Sequence, residues 1–351
     1  MKHFLRTYDS FSMQAESDPS IKSSSDGSDS HESALSCQKD TSDDTFEHSD
    51  THSIKPKKRI RLYHRTHAHR NPLSDSLSMQ YPINPDMMDW PKYYPFVWSQ
   101  YQKQTDNQLL PPRVEMADIG CGYGGLLIAL SRLFPNRLTL GLDIRTRVLK
   151  YVDQRLEELR STTYNSLDEV PLTGNLHPLC TITEPIYGPS NAPDSHTYFQ
   201  APAFPPYHNV AAIETNAMKH LPNLFHKRQL DKIFFLFPDP HFKKAKYRLR
   251  IINSMLLDQY AYVLREGGYA YIATDVKDLY DWMERHFLEH PLFEKVTEQE
   301  LCDDPVINLI PNSTEESRKA KKQNRSIFYT AFKRIPYDGK NHAVYKFFEV
   351  D

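Results

Sequence analysis

Glycine is scarce in this sequence, with 11 in 351 residues, about 3% where an average protein has roughly 7%. That excludes collagen-like, Gly-rich linker and RGG-type chains. Long hydrophobic runs are missing too. The longest, such as Ile233 to Phe237, fall far short of the roughly 20 apolar residues of a membrane span. The N-terminus has no apolar core of the signal-peptide type. Cysteine is sparse, and Cys37, Cys121, Cys180 and Cys302 form no CxxC pair. This argues against a zinc site or a disulfide framework and fits a reducing compartment. No metal and no membrane partner are expected.

What is present is unevenly placed. Four of the 11 glycines, Gly120, Gly122, Gly124 and Gly125, fall within six residues. The net charge of -2 hides an acidic tail on a basic body, with -7 in residues 1–50 and +5 in the rest. The basic excess suits an anionic partner. Residues 1–54 are rich in Ser and Asp with few large apolar groups, so they are expected to be disordered. Residues 55–112 form a basic arm and lead-in. Its first part, Lys55 to Arg70, holds seven Lys or Arg, three His and no acid, as nuclear import signals or arms lying on nucleic-acid phosphate do.

From about Arg113, where the ordered core is expected to begin, strand and helix patterns alternate. Val114–Ile119 reads as a strand, Gly124–Phe134 as a helix, Leu138–Asp143 as a strand and Thr146–Arg160 as a helix. Residues 161–208 break the pattern. They hold eight prolines and no Lys or Arg, which reads as a surface insertion. The alternation resumes with strands at Asn209–Glu214 and Asp231–Phe237, a helix at Arg250–Tyr262 and a strand at Tyr269–Asp275. A helical stripe follows through Leu279, Trp282, Met283, Phe287 and Leu288, and a strand at Ser326–Lys333 closes the core near residue 335. Residues 336–351 form a tail. This order predicts an α/β fold with a mostly parallel sheet.

The turn Asp118-Ile-Gly120-Cys-Gly122-Tyr-Gly124-Gly125 joins a strand to a helix, where glycines let backbone approach a ligand. Asp143 ends the next strand, in place to accept hydrogen bonds from ribose hydroxyls. A nucleoside cofactor is indicated. Gly120, Gly122 and Gly125 also satisfy GxGxxG, so NAD competes with S-adenosylmethionine. Asp118 favours the latter, because an acid there faces a cationic methionine end but repels a pyrophosphate. Leu264-Arg-Glu-Gly267-Gly268 also resembles the turn before the fifth strand of class I methyltransferases. With Gly141, seven of the 11 glycines are then expected on one ligand-binding face.

The segment Pro238-Asp239-Pro240-His241-Phe242-Lys243-Lys244 follows a buried strand, where open α/β sheets place their active sites. An acid between two prolines has little backbone freedom, which favours preorganisation. From Lys243 to Arg250 five of eight residues are basic, which suits phosphate contacts at the mouth of a site.

These segments, with Thr215-Asn216-Ala217-Met218-Lys219 and Ser313-Thr314-Glu315-Glu316, resemble tRNA (guanine-N7)-methyltransferases over most of 57–335 outside the insertion. His67, Asn71-Pro72, Tyr81-Pro82 and Met88-Asp89-Trp90 resemble the eukaryotic branch. The resemblance implies a class I (Rossmann-like) S-adenosylmethionine-dependent fold with an antiparallel last strand. It implies methyl transfer to a guanine in the variable loop of tRNA, a WD-repeat partner subunit and, with the basic block, a nuclear location. Cofactor contacts are implied at Gly120, Asp143, Ile144, Asn216, Ala217, Leu236, Thr314 and Glu316, and the active-site acid at Asp239. His241, Lys243 and Lys244 are candidates for touching the RNA. Asp143 departs from the Glu usual in the family. The alternatives are a class I methyltransferase acting on another RNA atom or on protein, and a non-catalytic RNA-binding subunit.

Overall fold

The computed structural model describes residues 71–73, 79–103, 110–161 and 205–337. The acidic tail, the Lys55–Arg70 block, most of the insertion and the C-terminal tail lie outside them.

Two short helices, α1 (Trp90–Tyr93) and α2 (Pro95–Gln102), precede the sheet. Each takes a proline in its first turn, where no backbone N–H is needed. The alternation follows: β1 (Val114–Ile119), α3 (Gly125–Leu133), β2 (Leu138–Asp143), α4 (Thr146–Ser161), β3 (Val210–Glu214), α5 (Ala217–Leu224) and β4 (Leu230–Leu236). After a 3₁₀ turn at Lys244–Leu249 come α6 (Ser254–Val263), β5 (Leu264–Thr274), α7 (Lys277–Glu289) and β6 (Phe293–Lys295). The last elements are α8 (Glu298–Asp303), α9 (Ile310–Ser313), α10 (Glu315–Lys322) and β7 (Phe328–Arg334).

The seven strands form one sheet in the order β3-β2-β1-β4-β5-β7-β6. β3 to β5 are parallel, and β7 runs antiparallel between β5 and β6. The chain reverses its direction of travel across the sheet between β1 and β4. A crevice opens beyond the carboxyl ends of the strands at such a switch point. Helices cover both faces, so central strands are apolar on both sides. Ile233 and Phe235 of β4 join one core with α2, α5, α6 and α7, while Phe234 and Leu236 join the other with Leu126 and Leu130 of α3.

Two buried polar residues, Asp231 and Lys232, interrupt β4. Lys232 is buried, donates to the Tyr271 hydroxyl at 2.7 Å and lies 4.9 Å from the Tyr269 ring centre. Burial lowers the pKa of its ammonium from the usual value.

The sequence placed β1 and β2 at their observed bounds, gave no element for α5, β6, α8, α9 or α10, and also misread four places. The core begins before Arg113, because Tyr94, Val97 and Trp98 are buried and the Tyr94 hydroxyl donates to the Thr139 carbonyl at 2.8 Å. The helix expected from Arg250 starts only at Ser254, where the Asn253 side chain caps it by accepting from the Leu256 N–H at 3.1 Å. The pair Gly267-Gly268 lies inside β5, which begins at Leu264. Its pairing with β4 shifts between Leu264 and Tyr269, a bulge that Gly267 accommodates at φ +75°. Leu288, assigned to the apolar stripe of α7, is exposed.

Candidate active site

The crevice is a cleft of about 510 Å³ lined from the ends of β1, β2, β4 and β5 and by α10. This is the size of small-molecule sites in general. Of the residues expected to touch a cofactor, Gly120, Asp143, Ile144, Asn216, Ala217, Leu236 and Glu316 all line it. Asp239 and His241 line it as well. Thr314 does not; it caps α10, its hydroxyl accepting from the Ser317 N–H at 3.0 Å. Its effect on the cleft is therefore to fix Glu316 two residues on. Lys243 and Lys244 are exposed and lie outside the lining, at the start of the 3₁₀ turn.

The glycines divide by role. Gly120 (φ +78°) and Gly122 (φ +53°) line the cleft, and a Cβ on Gly120 would meet nothing within 4 Å. Gly124, Gly125 and Gly141 are packing glycines. A Cβ on Gly141 would stand 2.6 Å from a Leu127 methyl and 2.8 Å from the Cys121 sulfur. A Cβ on Gly125 would stand 2.2 Å from the Ser313 carbonyl oxygen. Gly267 and Gly268 lie toward the opposite end of the strands, beside Asp231 and Arg265. The expectation of seven glycines on one ligand face is thus reduced to two. The close approach at Gly125 seats the junction of α9 and α10 on the glycine turn. Arg155 secures it by donating to the Tyr123 carbonyl at 2.9 Å and to Glu315 at 3.0 Å.

Asp143 and Glu316 line the site, whereas Asp118, expected to face the cofactor, is buried behind the lining. Asp118, at the end of β1, is buried, and burial with Asp143, Glu316 and Glu315 nearby pushes its carboxyl up to about 8. Burial, reinforced by Asp143 and Asp118, likewise raises the Cys121 thiol far above its usual value. Cys121 is therefore a protonated packing residue under Gly141. At the rim stand Lys319 and Arg325, the latter paired with Asp275.

Asp143 is more occupied than its ribose role suggests. It accepts from the Gly122 N–H at 3.2 Å, from the Arg145 N–H and Nε each at 2.9 Å, and from an Arg145 terminal nitrogen at 2.7 Å. Four donors fill a carboxylate's acceptor positions. A ribose reaches this oxygen pair only as the Arg145 guanidinium moves aside. Sequence reasoning missed Arg145, although its place two residues after Asp143 is a signal. Pro72 was also missed as a wall of the cleft; Asn216 donates to its carbonyl at 2.5 Å and so ties residues 71–73 to the site. Asp275 follows the end of β5, where the rule for strand ends points.

The lining fits an S-adenosyl group. Open space beside the Gly120 backbone admits a flat or extended ligand. The buried Thr215 hydroxyl, on the wall, has no hydrogen-bond partner among the described residues. Asp143 and Glu316 on the wall, with Asp118 buried behind it, suit a cationic amino acid end.

The comparisons with known proteins agree. A family profile described as "Putative methyltransferase" matches residues 112–183 and 191–330. A Bombyx mori tRNA (guanine-N(7)-)-methyltransferase is 45% identical over 273 residues, covering 78% of this chain and 94% of the relative. The Homo sapiens protein of that name is 43% identical over 288 residues, covering 80% and 88%. The Dictyostelium discoideum protein is 42% identical over 292 residues, covering 83% and 87%. With the strand order, the glycine turn and Asp239 at the cleft, these matches establish that the chain belongs to the tRNA (guanine-N7-)-methyltransferase family.

Proposed function

We propose that this protein methylates N7 of a guanine in the variable loop of tRNA, with Asp239 as the residue that orients the base and stabilises its developing charge. S-adenosylmethionine, when bound, supplies a methyl group activated by its sulfonium. The observation that carries the reading is the position of Asp239. It lies on the cleft wall three residues after β4 ends, and β4 neighbours β1, whose glycine turn lines the same cleft.

Guanine N7 carries an exposed lone pair, so no proton has to leave before it attacks. A general base is unnecessary, and the chemistry falls to positioning and electrostatics. Transfer makes the purine cationic. A carboxylate at its edge is then worth more in the transition state than in the ground state, which is what accelerates a reaction. Asp239 has a flanking proline on each side, and the next residue, His241, holds a left-handed conformation at φ +45°. The Phe242 ring is 70% exposed at the mouth, available to a base or ribose entering from the RNA. Lys243 and Lys244 stand outside the mouth, where phosphates of a bound RNA would pass.

A WD-repeat subunit is the proposed partner, and the nucleus the proposed location. Both rest on resemblance, and the location also on the Lys55–Arg70 block. The test is incubation of the protein with tRNA and S-adenosylmethionine, with and without the WD-repeat subunit, followed by mass analysis of the nucleosides. 7-methylguanosine is expected. Methylation of another base atom, or of protein only, would overturn the reading. A Lys55–Arg61 deletion that leaves nuclear distribution unchanged would count against the basic block as the signal.

A further inference from the structure

Arg250 belongs to the basic run that sequence reasoning assigned to phosphate contacts, yet it is only 4% exposed. Its guanidinium lies 3.8 Å from the Tyr247 ring centre and 4.7 Å from that of Trp282. Among the described residues no carboxylate pairs with it directly. Its Nε instead donates to the Pro240 carbonyl at 2.9 Å, one residue beyond Asp239.

The surroundings of this arginine are themselves fixed. Trp282 donates from its indole nitrogen to the Ile252 carbonyl at 2.8 Å and meets the His286 ring, tilted by 33°, at 4.2 Å. Asn253 donates to the Arg250 carbonyl at 3.2 Å before capping α6. The loop that Arg250 holds is strained at both ends, with Phe237 at φ +52° and His241 at φ +45°. Such conformations cost on the order of 1–3 kcal/mol each and persist only where the surroundings over-determine them. Between them lie two prolines and Asp239. Burying a guanidinium lowers its pKa, and its π faces, the Pro240 carbonyl, Tyr247 and the more distant charge of Asp278 compensate for lost water. Arg suits this because it is planar and can stack while its Nε donates sideways; a Lys ammonium has no plane to stack.

We propose that Arg250, stacked with Tyr247 and Trp282, is a positioning residue that holds the Pro238–His241 loop so that Asp239 faces the reacting guanine. The proposal rests on the reading of Asp239 as the acid at the reacting base. It removes Arg250 from the RNA-binding surface and makes it the link between α7 and the catalytic loop.

The experiment is a double-mutant cycle on the full chain with its partner subunit, using Arg250→Lys and Asp239→Asn singly and together. Single-turnover methyl transfer to tRNA and cofactor affinity are both measured. Arg250→Lys is expected to slow transfer 10- to 100-fold while S-adenosylmethionine affinity stays within twofold. In the Asp239→Asn background the same change is expected to slow transfer by no more than twofold, because the loop then has no carboxylate to aim. Equal losses in both backgrounds, or a parallel loss of cofactor affinity, would overturn the proposal in favour of general structural damage. If Asp239→Asn transfers at the wild-type rate, the reading of Asp239 fails; if only Arg250→Lys does, the proposal for Arg250 fails alone. Tyr247→Leu removes one stacking ring at a half-buried position and tests the same point should Arg250→Lys not fold. A loss of at least threefold in rate with unchanged cofactor affinity supports the clamp, and an unchanged rate refutes it.

Discussion

Replacing Gly125 by Ala tests whether the C-terminal segment is seated on the glycine turn. The new Cβ would stand 2.2 Å from the Ser313 carbonyl oxygen and 3.0 Å from a Glu315 carboxylate oxygen. Glu315 can swing away, but the carbonyl is backbone. Relieving that contact to ordinary van der Waals separation moves the junction of α9 and α10 by about 1 Å. Ala favours a helix over Gly by up to about 1 kcal/mol, whereas overpacking costs about 1–3 kcal/mol. The net expected loss of stability is about 0–2 kcal/mol, a fall of a few degrees in Tm at most for a domain of this size. The effect on the site is larger, because Glu316 lines the cleft immediately after that junction. A misplacement of 1 Å can cost on the order of 100-fold in function. Titration calorimetry should show S-adenosylmethionine binding weakened about 10- to 100-fold, with the arms of the cleft otherwise intact by circular dichroism. Unchanged affinity within twofold would refute the seating argument. Gly120→Ala provides the contrast. It meets no protein atom within 4 Å but must hold φ +78°, a strain of about 1–2 kcal/mol, and its Cβ enters the space left for the cofactor, so stability and affinity should both fall with the α9–α10 junction unmoved.

Cofactor binding should release protons near neutral pH. With its carboxyl pushed up to about 8, Asp118 is protonated at pH 7 in the free protein. A neighbouring cation favours its ionised form, so heats of binding should depend on the ionisation enthalpy of the buffer; no dependence would contradict this reading of Asp118. The same raised value fixes the sign of stability against pH. The unfolded chain gives up this proton at about 4, so folding stability declines as pH rises from there through about 8. Glu115, which burial pushes up to about 7 at the other end of β1, adds to that slope but not to the cofactor effect. Urea unfolding at pH 6 and pH 9 checks this, with the lower pH expected to be more stable on this account. Changing Lys243 and Lys244 together to Ala should lower the slope of log affinity for tRNA against log salt by about 1–2, leaving cofactor binding unchanged; an unaltered slope would place the RNA elsewhere.

Much of the fold was legible because its strands are short apolar runs ended by charged or turn residues, as at Asp143. The errors have physical causes. Ile251 and Ile252 continue an apolar pattern into α6, yet Ile252 is buried from an extended approach segment, and only the Asn253 cap marks the start. Val97 and Trp98 reach the core from a helix too short to show a period, and Tyr94 from the junction between α1 and α2. Periodicity also cannot tell a glycine that faces a ligand from one that admits a neighbour. Gly120 and Gly141 read alike in sequence, and only the Leu127 methyl beside Gly141 separates them. The charged residues misled in the same way. Arg145, which drew no assignment from the sequence, closes on Asp143, and Arg250 reads as a phosphate ligand but turns inward onto two aromatic rings. A side chain's direction depends on partners distant in sequence.

The central claim is that Asp239 acts electrostatically on a base that needs no deprotonation. Its most direct test is the single-turnover rate of 7-methylguanosine formation by Asp239→Asn at saturating cofactor and tRNA. The account predicts a fall on the order of 100-fold or more, as for loss of one preorganised electrostatic group, with cofactor affinity within a few-fold of wild type. A folded Asp239→Asn protein that binds cofactor and transfers the methyl group at the wild-type rate would contradict it.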